Sequence, residues 1–196
     1  MDGKTYSPSG PEESSRIPKR SDLSRLCAEL NQLSARYVVV GGFAIIEAGF
    51  PRLTGDIDLL MDSALENEQK IYEALRSLPD KAVNQLDPGD VERFNVVRVA
   101  DEILVDLMKS GCGVDYAEAI KDAVYREIEG VRIPFASPLT LWRMKQTVRE
   151  KDIPDRLFLR KLLEAQGIKV EEESPTRGTQ PEGLRAWLRR VFGSDE

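Results

Sequence analysis

The residues of this chain best placed to do chemistry are Asp56 and Asp58, which flank Ile57 inside an apolar run. A strand alternates its side chains between faces, so Asp56 and Asp58 point one way while Ile57 and Leu59 point the other. Two carboxylates on one face of an apolar strand repel each other and are costly to bury unpaired. A bound divalent cation resolves both problems, and oxygen-only ligation suits Mg²⁺ or Mn²⁺. Upstream, the apolar run Tyr37–Val40 ends in Gly41-Gly42. At a strand end and helix start, such glycines free backbone N–H groups for close approach by a phosphate. A phosphate cradle beside a metal site points to nucleotide chemistry.

A third carboxylate stands further along. In the run 102–108, Ile103, Val105 and Leu107 share one face, and Leu104, Asp106 and Met108 share the other. Asp106 is therefore an acid among apolar residues; alternatively it sits near a strand end or pairs with Lys109 or Arg98. Three carboxylates on adjacent strands can bind two metals about 3.5–4 Å apart. Downstream, between Trp142 and Leu163, seven cations (Arg143, Lys145, Arg149, Lys151, Arg156, Arg160 and Lys161) face three acids (Glu150, Asp152 and Asp155) on an otherwise acidic chain. That local excess is the footprint of phosphate binding, or else a solvated helical face. Lys145 and Arg149, four apart, are expected on one helical face.

Val40-Gly41-Gly42 followed by Asp56-Ile57-Asp58-Leu59 resembles the nucleotidyltransferase (DNA polymerase β-like) superfamily. Its signature is an apolar residue, Gly-Gly or Gly-Ser, a spacer, and Asp-x-Asp in a strand. The approach Arg52-Leu53-Thr54-Gly55 looks most like the minimal and AbiEii/MenT-type members, several of which are toxins of bacterial toxin–antitoxin systems. Gly42 stands where many members carry serine, so a serine contact to phosphate is not available. The resemblance covers roughly residues 35–165 and implies an α/β (α+β) nucleotidyltransferase fold, a mixed sheet flanked by helices, plus a C-terminal helical part.

The resemblance also implies roles. Asp56, Asp58 and Asp106 would hold metal, with Asp106 also acting as base. Gly41, Gly42, Arg52, Thr54 and Lys145 would bind the nucleotide. The segment from Met144-Lys145 to Asp152-Ile153-Pro154-Asp155 resembles a Lys…Lys-Asp-x-x-Asp segment of AbiEii-like members. It makes Lys145 and Asp152 catalytic candidates, with Lys151 and Asp155 beside them. The implied activity is Mg²⁺-dependent (or Mn²⁺-dependent) transfer of a nucleoside monophosphate from an NTP to an acceptor hydroxyl. RNA, such as a tRNA end, is the first acceptor, with an antitoxin protein as partner. An antibiotic or other small molecule is the second acceptor, and a non-catalytic nucleotidyltransferase-like binding module is the competing class.

Composition narrows the field. With 196 residues, 41% hydrophobic and 32% charged, the chain can bury one core of ordinary size. No histidine is present, which removes HExxH metalloproteases, Ser-His-Asp triads and His-ligated zinc. Cys27 and Cys112 have no metal-ligand spacing and read as buried small hydrophobes. No apolar stretch approaches the ~20 residues that span a bilayer, and the start lacks a secretory pattern, so a cytoplasmic protein away from membranes is expected. The net charge of −6 argues against gripping nucleic acid by global charge.

The elements that must position these residues follow from periodicity. Residues 1–20 read as a mobile arm. Ser21 is expected to cap a helix whose stripe is Leu23, Leu26, Cys27, Leu30 and Leu33. The α/β core is expected over 21–136, with a helix over 66–77, a turn at Asp87-Pro88-Gly89, and antiparallel strands over 94–100 and 102–108. A short helix over 115–124 and a hairpin over 126–136 at a sheet edge complete it. Ser137 caps and Pro138 starts a helix whose Leu139, Trp142 and Val148 face the core. With a second helix over 156–165 it makes a helical hairpin, 137–168, completing the site. A linker over 169–183 and an amphipathic helix over 184–196 end the chain.

Overall fold

The computed structural model describes residues 15–171; the expected helix over 184–196 and most of the expected linker lie outside them. Six strands form one mixed sheet: β1 (Tyr37–Val40), β2 (Asp56–Met61), β3 (Val96–Ala100), β4 (Leu104–Met108), β7 (Val124–Ile128) and β8 (Val131–Phe135), in the order β3-β4-β2-β1-β8-β7. β5 (Ser110–Gly111) and β6 (Val114–Asp115) make a separate small ribbon. β1 is Tyr-Val-Val-Val, buried throughout, as β-branched residues in a central strand should be. It runs antiparallel to β2 and parallel to β8, while β2 runs parallel to β4.

The register of three strands builds the site. Asp58 of β2 stands beside Asp106 of β4, and Arg98 of β3 stands across from Asp106. Ile57 and Leu59 pair with Val105 and Leu107, which pair in turn with Val99 and Val97. All six of these apolar side chains are buried, so the reverse face of the sheet locks the polar face in place. Burying such a side chain is worth roughly 1.5–3 kcal/mol, so a register slip that exposed this face would be strongly opposed.

Helices flank the sheet. α1 (Arg20–Gln32) packs on α3 (Leu65–Leu75) and on β8 through Leu23, Leu26, Cys27 and Leu30. Its N-cap is Lys19 rather than Ser21: the Asp22 carboxylate accepts the Lys19 N–H at 2.7 Å and is gripped by both Nη atoms of Arg16. Arg16 also bridges to Ile103 and donates its N–H to Glu102, so part of the segment assigned to an arm joins the fold from Ser15 onward. α2 (Gly41–Glu47) follows β1 directly.

Several boundaries differ from the periodic reading. Phe94 ends a short helix, α4 (Asp90–Phe94), because buried Glu68 accepts the N–H groups of Gly89 and Val91 and so caps its start. The helix expected over 115–124 is the single turn α5 (Tyr116–Ala119), capped by Asp115, and Val124 already belongs to β7. α6 (Pro138–Met144) starts at the expected Ser137 cap, whose Oγ accepts the Thr140 N–H at 3.0 Å. It stops well before residue 150, and α7 (Ile153–Ala165) begins at Ile153 with Pro154 in its first turn. Trp142 is buried, but Leu139 is 37% and Val148 74% exposed, because Val148 lies in the loop between the two helices. Of the cysteines, Cys27 is buried and Cys112 is exposed.

Candidate active site

At the polar face of β2 and β4, one carboxylate oxygen each of Asp56, Asp58 and Asp106 lies within 4.8 Å of the others. Three anions so close carry strong mutual repulsion, and among the described residues only one cation pairs with them directly. The Arg98 guanidinium donates Nε and Nη2 to the two oxygens of Asp106, each at 2.7 Å, and Nη2 reaches Asp56 at 3.3 Å. Both sequence alternatives for Asp106 therefore hold at once: it pairs with Arg98 and it converges with Asp56 and Asp58. Burial, then the charges of Asp56 and Asp106, push the Asp58 carboxyl up to about 6, against a smaller opposing pull from the Gly42 N–H and Lys145. Oxygen donors only, in excess negative charge, fit a hard divalent cation such as Mg²⁺ or Mn²⁺.

The glycines make room for this cluster. Gly41 has φ +59°, and a Cβ there would lie 1.8 Å from Asp58 Oδ2. Any other residue would drive that carboxylate away and adopt a left-handed backbone. At Gly42 a Cβ would lie 2.1 Å from Thr54 Oγ1. The Gly42 N–H points at Asp58 Oδ2 at 3.4 Å, so in this structure it faces the acid cluster. Thr54 itself is buried, and its Oγ1 sits against the backbone carbonyl and carboxylate of Asp56 at 3.3 and 3.4 Å.

The opposite wall comes from the loop between α6 and α7. Lys145 Nζ lies 2.7 Å from Asp152 and 3.0 Å from Asp155. Thr147 and Arg149 also donate to Asp152, and Arg52 pairs with Asp155. Burial alone would raise the Asp152 carboxyl, but the hydrogen bonds from Lys145 and Thr147 and the charges of Lys145 and Arg149 outweigh it and hold it below the usual range. Arg156 donates to the carbonyls of Lys145 and Thr147, which fastens the loop to α7. Lys145 is the C-cap of α6 and Arg149 lies beyond it, so the two do not share a helical face.

Between the two walls is a cleft of ≈ 340 Å³. Gly41, Gly42, Arg52, Asp56, Asp58, Asp106, Lys145 and Lys151 all line it, so the structure gathers most of the sequence-predicted residues. Asp152 is fully buried and Asp155 nearly so; neither lines the cleft, and they act on it through Lys145 and Arg52. Arg149, counted in the cationic excess, lines it as well, and so do Arg98, Asn95 and Cys112, to which the sequence assigns no site role. Arg98 carried a signal, its place on the strand preceding Asp106, whereas Asn95 and Cys112 depend on loop geometry that no periodicity encodes. The Cys112 thiol donates to the Met144 carbonyl at 3.3 Å.

The architecture is thus α/β: a mixed sheet flanked by helices, with an acid cluster and a cationic wall facing each other across one cleft. No family model matches the chain, and no curated protein matches it. Among solved structures, an antigenic nucleotidyltransferase-like protein from Paracoccidioides brasiliensis is similar at 19% identity, covering 88% of this chain and 87% of its own, with TM-score 0.44. ANT(2″)-Ia in complex with adenylyl-2″-tobramycin is similar at 16% identity, covering 88% of this chain and 98% of its own, with TM-score 0.47. Functional assignment therefore rests on the site's own geometry. Among the described residues, no helix is long and apolar enough to cross a membrane.

Proposed function

We propose that the chain is a divalent-metal-dependent nucleotidyltransferase that moves a nucleoside monophosphate from an NTP to an acceptor hydroxyl and releases pyrophosphate. The observation that carries this reading is the convergence of Asp56, Asp58 and Asp106 at the head of a cleft whose far wall is cationic. Bound Mg²⁺ or Mn²⁺ would supply neutralisation of phosphate charge and a more acidic acceptor hydroxyl. Asp56, Asp58 and Asp106 would hold the cation, and an Asp106 oxygen would take the acceptor's proton. Gly41 keeps Asp58 in position. Lys151 presents positive charge to the triphosphate where negative charge develops during transfer, and Arg52 and Arg149 add theirs at short range from within their pairs with Asp155 and Asp152. Lys145 adds its charge at the cleft wall while Asp152 and Asp155 fix its direction.

For the acceptor, the first reading is an RNA end, such as that of a tRNA, in a toxin that an antitoxin protein would restrain. A second reading, a small hydroxyl compound such as an antibiotic, is favoured by the distribution of charge. Of the seven cations counted over the helical hairpin, Arg143 pairs with Glu118, Lys145 and Arg149 with Asp152, and Arg160 with Glu164, while Arg156 is spent on backbone carbonyls. A long RNA would find little unpaired positive surface there.

The test is to incubate the protein with each α-labelled NTP and Mg²⁺, in one arm with total RNA and in another with a panel of small hydroxyl compounds. Label in RNA supports the first acceptor, and label in the small-molecule fraction supports the second. A protein that binds neither Mn²⁺ nor any NTP is a non-catalytic module, and the proposal falls.

A further inference from the structure

The acid cluster already holds a cation of the chain's own. Arg98 lies on β3, the edge strand of the sheet, directly across from Asp106. Its guanidinium forks onto both oxygens of Asp106 and extends to Asp56. Such a two-point pair is among the stronger hydrogen-bonded ion pairs, and it engages the oxygens that a divalent ion would need. A guanidinium and a divalent cation repel each other, so the same carboxylates cannot serve both at full strength. Of the two partners, the arginine is the one free to leave. Asp106 is 12% exposed on an inner strand, whereas the Arg98 side chain is 53% exposed on a long flexible stem and, among the described residues, hydrogen-bonds to these two acids only.

We propose that Arg98 is a built-in competitor for the acid cluster. It holds Asp106 and Asp56 together until a divalent cation displaces its guanidinium, and so it sets the cation concentration at which the site fills. This rests on reading the three acids as metal ligands. Arg98 also lines the cleft, so once displaced it remains tethered where a polyphosphate would be drawn to it. Nucleotide that stabilises the displaced arginine would tighten cation binding, and by linkage the cation would tighten nucleotide binding by the same factor. If Arg98 were instead a permanent cross-strand tie between β3 and β4, removing it would loosen the sheet without improving cation binding.

The experiment is calorimetric titration of Mn²⁺ alone into the wild-type protein, Arg98→Gln and Arg98→Lys, with thermal melts in metal-free buffer as the folding control. A site open only part of the time binds more weakly by that fraction, so Arg98→Gln is expected to bind Mn²⁺ at least about tenfold more tightly. Arg98→Lys, which keeps the charge but cannot fork, should fall between the two and carries the test if Arg98→Gln does not fold. Adding Asp106→Asn to Arg98→Gln should erase the gain. Wild-type binding with equal or weaker affinity in both Arg98 variants overturns the competitor and leaves the metal site standing. No Mn²⁺ binding to any of these proteins overturns the metal reading, and the competitor with it.

Discussion

Two groups of acids serve one cleft, one lining it and the other buried behind its cationic wall, and the chain treats them oppositely. At Asp152 and Asp155, two carboxylates share Lys145, Arg149 and Arg52, and both acids are out of contact with solvent. At Asp56, Asp58 and Asp106, Arg98 is the one cation among the described residues that pairs with the three carboxylates, reaching Asp106 and Asp56 but not Asp58, and part of the cluster opens to the cleft. The acidities diverge accordingly: Asp58 is pushed up to about 6, chiefly by burial, while the donors around Asp152 overcome its burial and hold it low. A lowered carboxyl is one whose charge the fold wants; a raised one is a charge the fold tolerates at a cost. The first group is therefore architecture, and the second is a deficit that a ligand can answer.

The largest effect expected from breaking this contrast is Asp152→Ala. It strips Lys145, Thr147 and Arg149 of a shared buried partner, which should cost about 3–5 kcal/mol of folding stability. Urea unfolding measures this, and the folded fraction should retain wild-type Mn²⁺ affinity. A loss below about 1 kcal/mol would show that the network does not hold the cationic wall. Next comes Lys145→Ala, which should weaken NTP binding or turnover by about 2–4 kcal/mol, the scale for removing one positioned donor. Kinetics with NTP varied alone would detect it, and wild-type behaviour would reduce Lys145 to a purely structural tie. Gly41→Ala places a Cβ against the Asp58 carboxylate in a left-handed backbone, with a stability loss of about 1–3 kcal/mol. Calorimetry should show its Mn²⁺ binding reduced as well; a variant that binds Mn²⁺ normally would mean that Asp58 is not a ligand.

The smallest effect is in acid. Asp152 has a folded pKa below its ordinary 3.8, so its contribution is present above that value and is lost as pH falls through the lower, folded one. Wild-type stability should thus drop in the region below 3.8, and Asp152→Asn should flatten that part of the profile. Denaturant midpoints across acid pH would reveal it. An identical slope in the variant would assign the acid sensitivity to other groups.

The local half of this structure was legible in the sequence. The alternation around Ile57 put Asp56 and Asp58 on one face, Ser137 with Pro138 marked a helix start, and Leu23, Leu26, Cys27 and Leu30 marked a buried stripe. What required the fold was everything set by pairing across distance. The register that places Asp58 beside Asp106 joins parallel strands far apart in sequence, and only the family resemblance suggested it. Lys145 and Arg149 looked helical because their spacing allows it. In the structure, Thr147 and Arg149 turn back to Asp152, and these tertiary bonds end α6 where propensity would have continued it. Ser21 lost its expected cap role for a similar reason: Asp22, fixed by Arg16, offered the stronger acceptor. In the sequence Arg98 is legible only as a pairing partner for Asp106, because a sequence does not show that one side chain can join two acids at once.

The most direct measurement is a set of thermal melts of wild type, Asp58→Asn and Asp152→Asn, each with and without Mn²⁺. Neutralising Asp58 should raise metal-free stability, by an amount that the rise to about 6 caps at roughly 3 kcal/mol and that exposure to the cleft reduces. The same substitution should abolish the stabilisation that Mn²⁺ gives wild type, whereas Asp152→Asn should lower stability and keep the Mn²⁺ response. An Asp58→Asn protein that is less stable than wild type and still gains stability from Mn²⁺ would contradict the account, because Asp58 would then be a structural acid like Asp152.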